Sequence, residues 1–172
     1  MKWKPSTYVL ELSALIESGV AKFLSEHPRT EVFSTTVYTG LSSCRSHLAF
    51  DTFANAKRVL AKVKKRHASY QGDRDWNSAE FKVPCFHEVQ HHSIPEHWES
   101  DTGGDCENEI IPAAISAVGS MLSCFEKLKL HPKACVIIAA WSDDVDYLWF
   151  RRRRQWRRGK VIYGGLLLDL GS

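Results

Sequence analysis

The sequence has no C-x-x-C pair, and its five cysteines (Cys44, Cys85, Cys106, Cys124 and Cys135) are scattered and odd in number. That spacing excludes a zinc ribbon and argues against a disulfide framework. Cys85, Cys124 and Cys135 fall in apolar patterns and are expected to be buried thiols of a reduced, cytoplasmic protein. There is no Gly-rich phosphate loop, nucleophile elbow or dinucleotide fingerprint, so the common nucleotide-binding and serine-hydrolase architectures have no foothold. No apolar run approaches the length of a membrane span. The residues after Met1-Lys2-Trp3-Lys4-Pro5 are amphipathic instead of forming the apolar block of a signal peptide. No membrane partner is expected. Internal repeats, low-complexity tracts and a domain boundary are also missing.

What remains is a chain of 172 residues, 44% apolar and 25% charged, the composition of an ordinary soluble globular protein. A single domain spanning 1–172 is expected. Its charge is uneven. Residues 151–160 hold seven cationic side chains and no acid, within a basic C-terminal segment, 147–172. The rest of the chain has more acids than bases. A nucleic-acid-binding domain usually spreads its basic surface over several elements.

In chain order, Val9, Leu12, Leu15, Ile16, Val20, Phe23 and Leu24 recur at helical spacing between Pro5 and Pro28. Residues 31–39 alternate and are β-branched, which predicts a strand, with 46–50 as its hairpin partner. Asp51 or Thr52 can cap a helix that ends in Lys64-Lys65-Arg66. Residues 81–86 read as an edge strand, because Pro84 cannot serve a central one. Residues 92–105 read as an irregular excursion. The apolar positions from Ile111 to Leu128 predict one long helix with Pro112 in its first turn. The continuous apolar run from Ala134 to Trp141 predicts a strand covered on both faces, at the centre of the sheet. Asp143, Asp144 and Asp146 follow it and suit a solvated turn better than a cation site. Tyr147–Trp156 and Val161–Leu170 predict a terminal hairpin turning near Gly159, its arginines facing solvent from an edge strand. The expected class is α+β, an antiparallel or mixed sheet packed against helices.

The densest chemistry lies in residues 86–109. His87-Glu88-Val89-Gln90-His91 reads H-E-x-x-H, and His97 stands where one class of zinc peptidases keeps a third ligand. On a helix, that spacing puts two imidazoles on one face for zinc and a glutamate beside the metal-bound water. A zinc-dependent hydrolase built on His87, Glu88, His91 and His97 is therefore one reading. Pro84 just upstream, and Ile94-Pro95 in place of a turn glycine, count against it, so no metal or other cofactor is expected. A second reading uses Arg151–Arg154, Arg157 and Arg158, flanked by Trp149 and Trp156, to bind nucleic acid by charge and base stacking.

The third reading uses acidity. Glu96, Glu99, Asp101, Asp105, Glu107 and Glu109 surround Trp98, with no lysine or arginine between residues 96 and 109. An aromatic anchor ringed by carboxylates suits an interface with a basic protein partner. Across residues 8–146, the order of elements and the stretches EVFSTTVYTG, AFDTFANAKRVLA, WNSAEFKVPCF and ACVIIAAWSDD resemble a family of small bacterial α+β domains. That family is related to the immunity proteins encoded beside polymorphic toxins. The resemblance implies a cytoplasmic immunity protein that neutralises one cognate toxin by direct occlusion, with no catalytic residues to carry over. Among the three readings this one is expected, and residues 147–172 fall outside it.

Overall fold

In this computed structural model, residues 3–66, 81–94, 106–142, 145–152, 160–163 and 166–169 are described. Helix α1 spans Pro5–Glu26, with Pro5 in the first turn, where a missing N–H loses no intrahelical bond. Its buried stripe is Tyr8, Leu12, Leu15, Ile16, Gly19, Val20 and Phe23. Strands β1 (Val32–Gly40) and β2 (Arg45–Asp51) pair antiparallel, as their alternation predicts. Four residues join them, and Cys44 closes the turn at a positive φ of 51°. Helix α2 (Phe53–Arg66) begins after Thr52, whose hydroxyl accepts the Asn55 amide at 3.2 Å as an N-cap. Asp51 instead accepts the Asn55 side-chain amide at 2.8 Å and the Lys82 backbone amide at 3.0 Å, tying down the approach to the next strand.

That strand, β3, runs Val83–Gln90 and lies at one edge of the sheet, where Pro84 is tolerated. Its register with β2 slips between Leu48 and Phe50, a bulge in β3 within which Cys85 takes φ 44°. Cys85 is exposed, contrary to the expectation of a buried thiol, because the bulge turns it out of the apolar alternation; Cys44 and Cys124 are buried.

The long helix expected over 111–128 is broken. Helix α3 spans Cys106–Ser120, the chain turns at Met121, and a short α4 covers Leu122–Phe125. Because α3 starts at Cys106, Pro112 lies inside it and not in its first turn. Strand β4 (Leu130–Ser142) follows, then β5 (Val145–Arg152), β6 (Lys160–Tyr163) and β7 (Leu166–Asp169).

Among the described residues, all seven strands form one sheet in the order β3-β2-β1-β4-β5-β6-β7. The β1–β4 pair is parallel and the other neighbours are antiparallel, so the sheet is mixed and the class is α+β. The apolar run of β4 is at the centre, as its composition predicts. At the chain's end the expected hairpin is present between β5 and β6, which pair antiparallel from Tyr147 opposite Tyr163 to Phe150 opposite Lys160. Its second arm comprises two strands instead of one, β6 and β7, which pair antiparallel and extend the sheet as a meander. Strand β5 is consequently interior and not an edge, although among the described residues Arg151 and Arg152 have register partners only on β4. Among the described residues, no helix is long and apolar enough to cross a membrane.

Candidate functional site

Register and burial together define three rows of side chains under α1. Phe50, Thr35 and Val136 align across β2, β1 and β4; Leu48, Val37 and Ile138 form the next row. Both are buried, and they meet the apolar stripe of α1: the tilted rings of Phe23 and Phe50 have centroids 4.1 Å apart, and Gly19 lies over Leu48. The third row continues the same inward phase with Ser46 and Thr39, which are polar and also buried. The first turns of α1 place Tyr8 and Glu11 here.

Their hydroxyls and the segment after β3 form one continuous chain of hydrogen bonds. Tyr8 Oη lies 2.7 Å from Thr39 Oγ1, which lies 2.6 Å from Ser46 Oγ. Ser46 Oγ lies 2.6 Å from His91 Nε2, and His91 Nδ1 lies 2.9 Å from Glu11 Oε2. Glu11 also accepts the Ser93 hydroxyl at 2.6 Å and the His92 amide at 3.2 Å. The backbone amide of His91 donates to the Cys44 carbonyl at 2.8 Å, and the Tyr8 and His91 rings stand 4.8 Å apart.

The electrostatics follow from burial. Burial pushes the Tyr8 phenol up to about 12, against hydrogen bonding with Thr39 and Ser46 that pulls it down. Burial lowers the pKa of His91, and the neighbouring Glu11 carboxylate only partly offsets this. For Glu11, burial works against the charged form, but the hydrogen bonds from Ser93, His91 and the His92 backbone outweigh it and hold the carboxyl below its usual value. The Glu11–His91 contact at neutral pH is therefore a carboxylate accepting from a neutral imidazole, a charge-assisted hydrogen bond.

Ser46, His91 and Glu11 have the connectivity of nucleophile, base and orienting carboxylate. Ser46 is nevertheless 0% exposed, and its oxygen is engaged by Thr39 on one side and His91 on the other. A substrate carbonyl has no approach to it. A satisfied, buried polar network of this kind rigidifies the elements it joins, here α1, β1, β2 and residues 91–94.

The H-E-x-x-H residues are not on a helix. His87 and Glu88 are on strand β3, where successive side chains point to opposite faces. His87 and His91, four residues apart along extended chain, are separated by roughly 13 Å of backbone rise. His87 Nε2 lies 3.0 Å from Ser18 Oγ, Glu88 pairs with Arg45 at 3.1 Å, and His91 belongs to the buried chain. The zinc geometry fails because strand periodicity disperses what helix periodicity would gather. Among the described residues, no three His, Cys, Asp or Glu side chains are grouped to hold a metal ion.

Of the acidic segment, Glu96, Trp98, Glu99, Asp101 and Asp105 lie outside the described residues, as does His97. Glu107 and Glu109 are in the first turn of α3, and Glu109 is exposed. The last part of the segment is thus helix and not loop. Asp143, Asp144, Arg153, Arg154, Trp156, Arg157 and Arg158 also lie outside the described residues, whereas Asp146 and Trp149 are on β5.

The sequence reading does not single out Tyr8, Glu11, Thr39 or Ser46. A signal was present: Thr39 and Ser46 share the inward phase of Val37 and Leu48, and Glu11 stands beside Leu12 on the helix stripe.

Fold and site together define a mixed-sheet α+β protein whose polar centre is a closed hydrogen-bond chain. Compared with protein-family models, curated proteins and solved structures, the sequence matches none.

Proposed function

We propose that the protein is a cytoplasmic immunity protein that occludes a basic surface of a cognate toxin with residues 96–109. The observation that supports this reading is how firmly the two ends of that segment are anchored. On one side, His91, His92 and Ser93 all bond to Glu11, and Ile94 is buried in the core. On the other, Ile110 is 0% exposed and Ile111 is buried beside it. Between these anchors the sequence places Trp98 and six carboxylates with no compensating cation. Fixed ends lower the entropy lost when a segment is immobilised in a complex, and the charge steers a basic partner toward it.

The test is co-expression with the C-terminal domain of a large toxin gene adjacent to this one, followed by binding kinetics on the purified pair. Rescue of growth and a stable complex are expected. Trp98→Ala weakens that complex by about 2 kcal/mol or more, as loss of an interface anchor commonly does. Changing Glu99, Asp101 and Asp105 to amides mainly slows association and flattens its salt dependence. Unchanged binding in both variants, with the fold intact, would rule out this surface, and the absence of rescue would rule out the function.

A further inference from the structure

The buried chain has a direction. With His91 neutral and its proton on Nδ1, each donor meets one acceptor: Tyr8 donates to Thr39, Thr39 to Ser46, Ser46 to His91 Nε2, and His91 Nδ1–H to Glu11. Protonating Nε2 makes it a donor to Ser46. The Ser46 hydroxyl must then turn toward Thr39, and the Thr39 hydroxyl toward Tyr8. The Tyr8 proton, in a residue that is 0% exposed, loses Thr39 as its acceptor and is left with the poorer contact to Ser46, which already accepts from His91. A buried donor deprived of its best acceptor is costly, whereas each reversed bond is otherwise neutral.

We propose that this one-way chain is an acid-sensitive latch, in which protonation of His91 loosens the attachment of residues 91–94 to α1. The latch stands whether or not the 96–109 segment binds a toxin; if it does, acid would free the segment's leading anchor.

The surroundings of His91 leave few other groups to set its charge. Helix α1 presents Glu11 and Tyr8, β1 and β2 present the neutral Thr39 and Ser46, and the segment itself adds His92 and Ser93. Arg45 of β2 and Glu88 of β3 pair with each other, and the one charged side chain described on α3, Glu109, is exposed. Glu11 attracts an imidazolium, and both burial and the chain's direction oppose one. The low pKa of His91 agrees with the opposition prevailing.

The experiment follows the full-length protein by long-range nitrogen–proton NMR across its titration, with amide hydrogen exchange measured at His92. The Nδ1–H tautomer is expected, with a midpoint below the ordinary 6.5. Exchange at the His92 amide, which donates to Glu11, should accelerate as His91 gains its proton. The acceleration is about tenfold for each pH unit by which the latched midpoint lies below that of the freed segment. His91→Gln keeps a donor and an acceptor but cannot titrate, and it should remove the pH dependence at His92 above the Glu11 range. An Nε2–H tautomer, constant protection of His92 through the titration, or a pH dependence that survives in His91→Gln would each overturn the latch.

Discussion

Gly19 shows how much a single missing side chain can matter. In the middle of α1 a glycine is a poor helix former, and replacing it with alanine gains about 1 kcal/mol of helix propensity. Here the added Cβ would stand 2.5 Å from Leu48 Cδ1 and 3.2 Å from His87 Cδ2. Leu48 is fully buried, so its side chain must repack within the core to make way. Overpacking of this kind costs about 1–3 kcal/mol, so Gly19→Ala is expected to lower the urea midpoint, opposite to its helix preference. A raised midpoint would show that α1 can move away from the sheet at little cost. The same close approach brings the first turn of α1 onto Thr39 and Ser46, so the glycine also supports the buried chain from a distance.

Among the elements, α3 is the one whose sequence conflicts with its structure. Pro112 cannot donate to the Asn108 carbonyl, and its ring crowds the preceding turn. It is exposed, so Pro112→Ala forfeits no packing. The substitution should raise stability by about 1–2 kcal/mol, the restored bond outweighing the freedom alanine gives the unfolded chain. Equilibrium urea unfolding with an unchanged slope checks it, and a loss of stability would mean the proline is needed to aim the start of α3. Elements whose patterns are long and regular were readable: α1 from its stripe, β1 and β2 from alternation, β4 from its apolar run. The break at Met121 was not, because apolar spacing continues across it and only the backbone turns. The two short strands at the end were hidden for a similar reason, since Gly164-Gly165 reads equally well as a kink within one strand or a turn between two.

At the scale of the whole molecule, the titrating groups set a pH profile. His91 and His47 have lowered pKa values, each chiefly through burial. A folded-state value below the unfolded one gives stability that is complete above the unfolded value and is lost as pH falls. The first decline should therefore begin near 6.5 and continue through the folded midpoints of the two histidines. Glu11, also lowered, adds a second decline below 4.5. Urea midpoints measured from neutral pH downward should show both, and Glu11→Gln should abolish the second. A flat profile would contradict the burial of these groups. The buried chain behind this profile was the least legible part of the molecule, for a physical reason. Glu11 and His91 are 80 residues apart, and only the folded sheet places Ser46 between His91 and Thr39. The acidic segment, by contrast, was visible at once because composition needs no fold to be read.

The parallel pairing of β1 with β4 also has a consequence for how the chain comes to be made. Val32 meets Leu130, nearly a hundred residues later, and every intervening helix and strand is synthesised before the pair can form. At about 5–20 residues per second on the ribosome, β1 waits roughly 5–20 s for the neighbour that completes it. An unpaired strand edge invites association with other chains during such an interval. Ser34-Thr35-Thr36 and Thr39 give this waiting strand four hydroxyl groups where a central strand usually carries hydrocarbon. The strand that waits longest for a neighbour during synthesis thus presents hydroxyl groups where a core strand would present hydrocarbon.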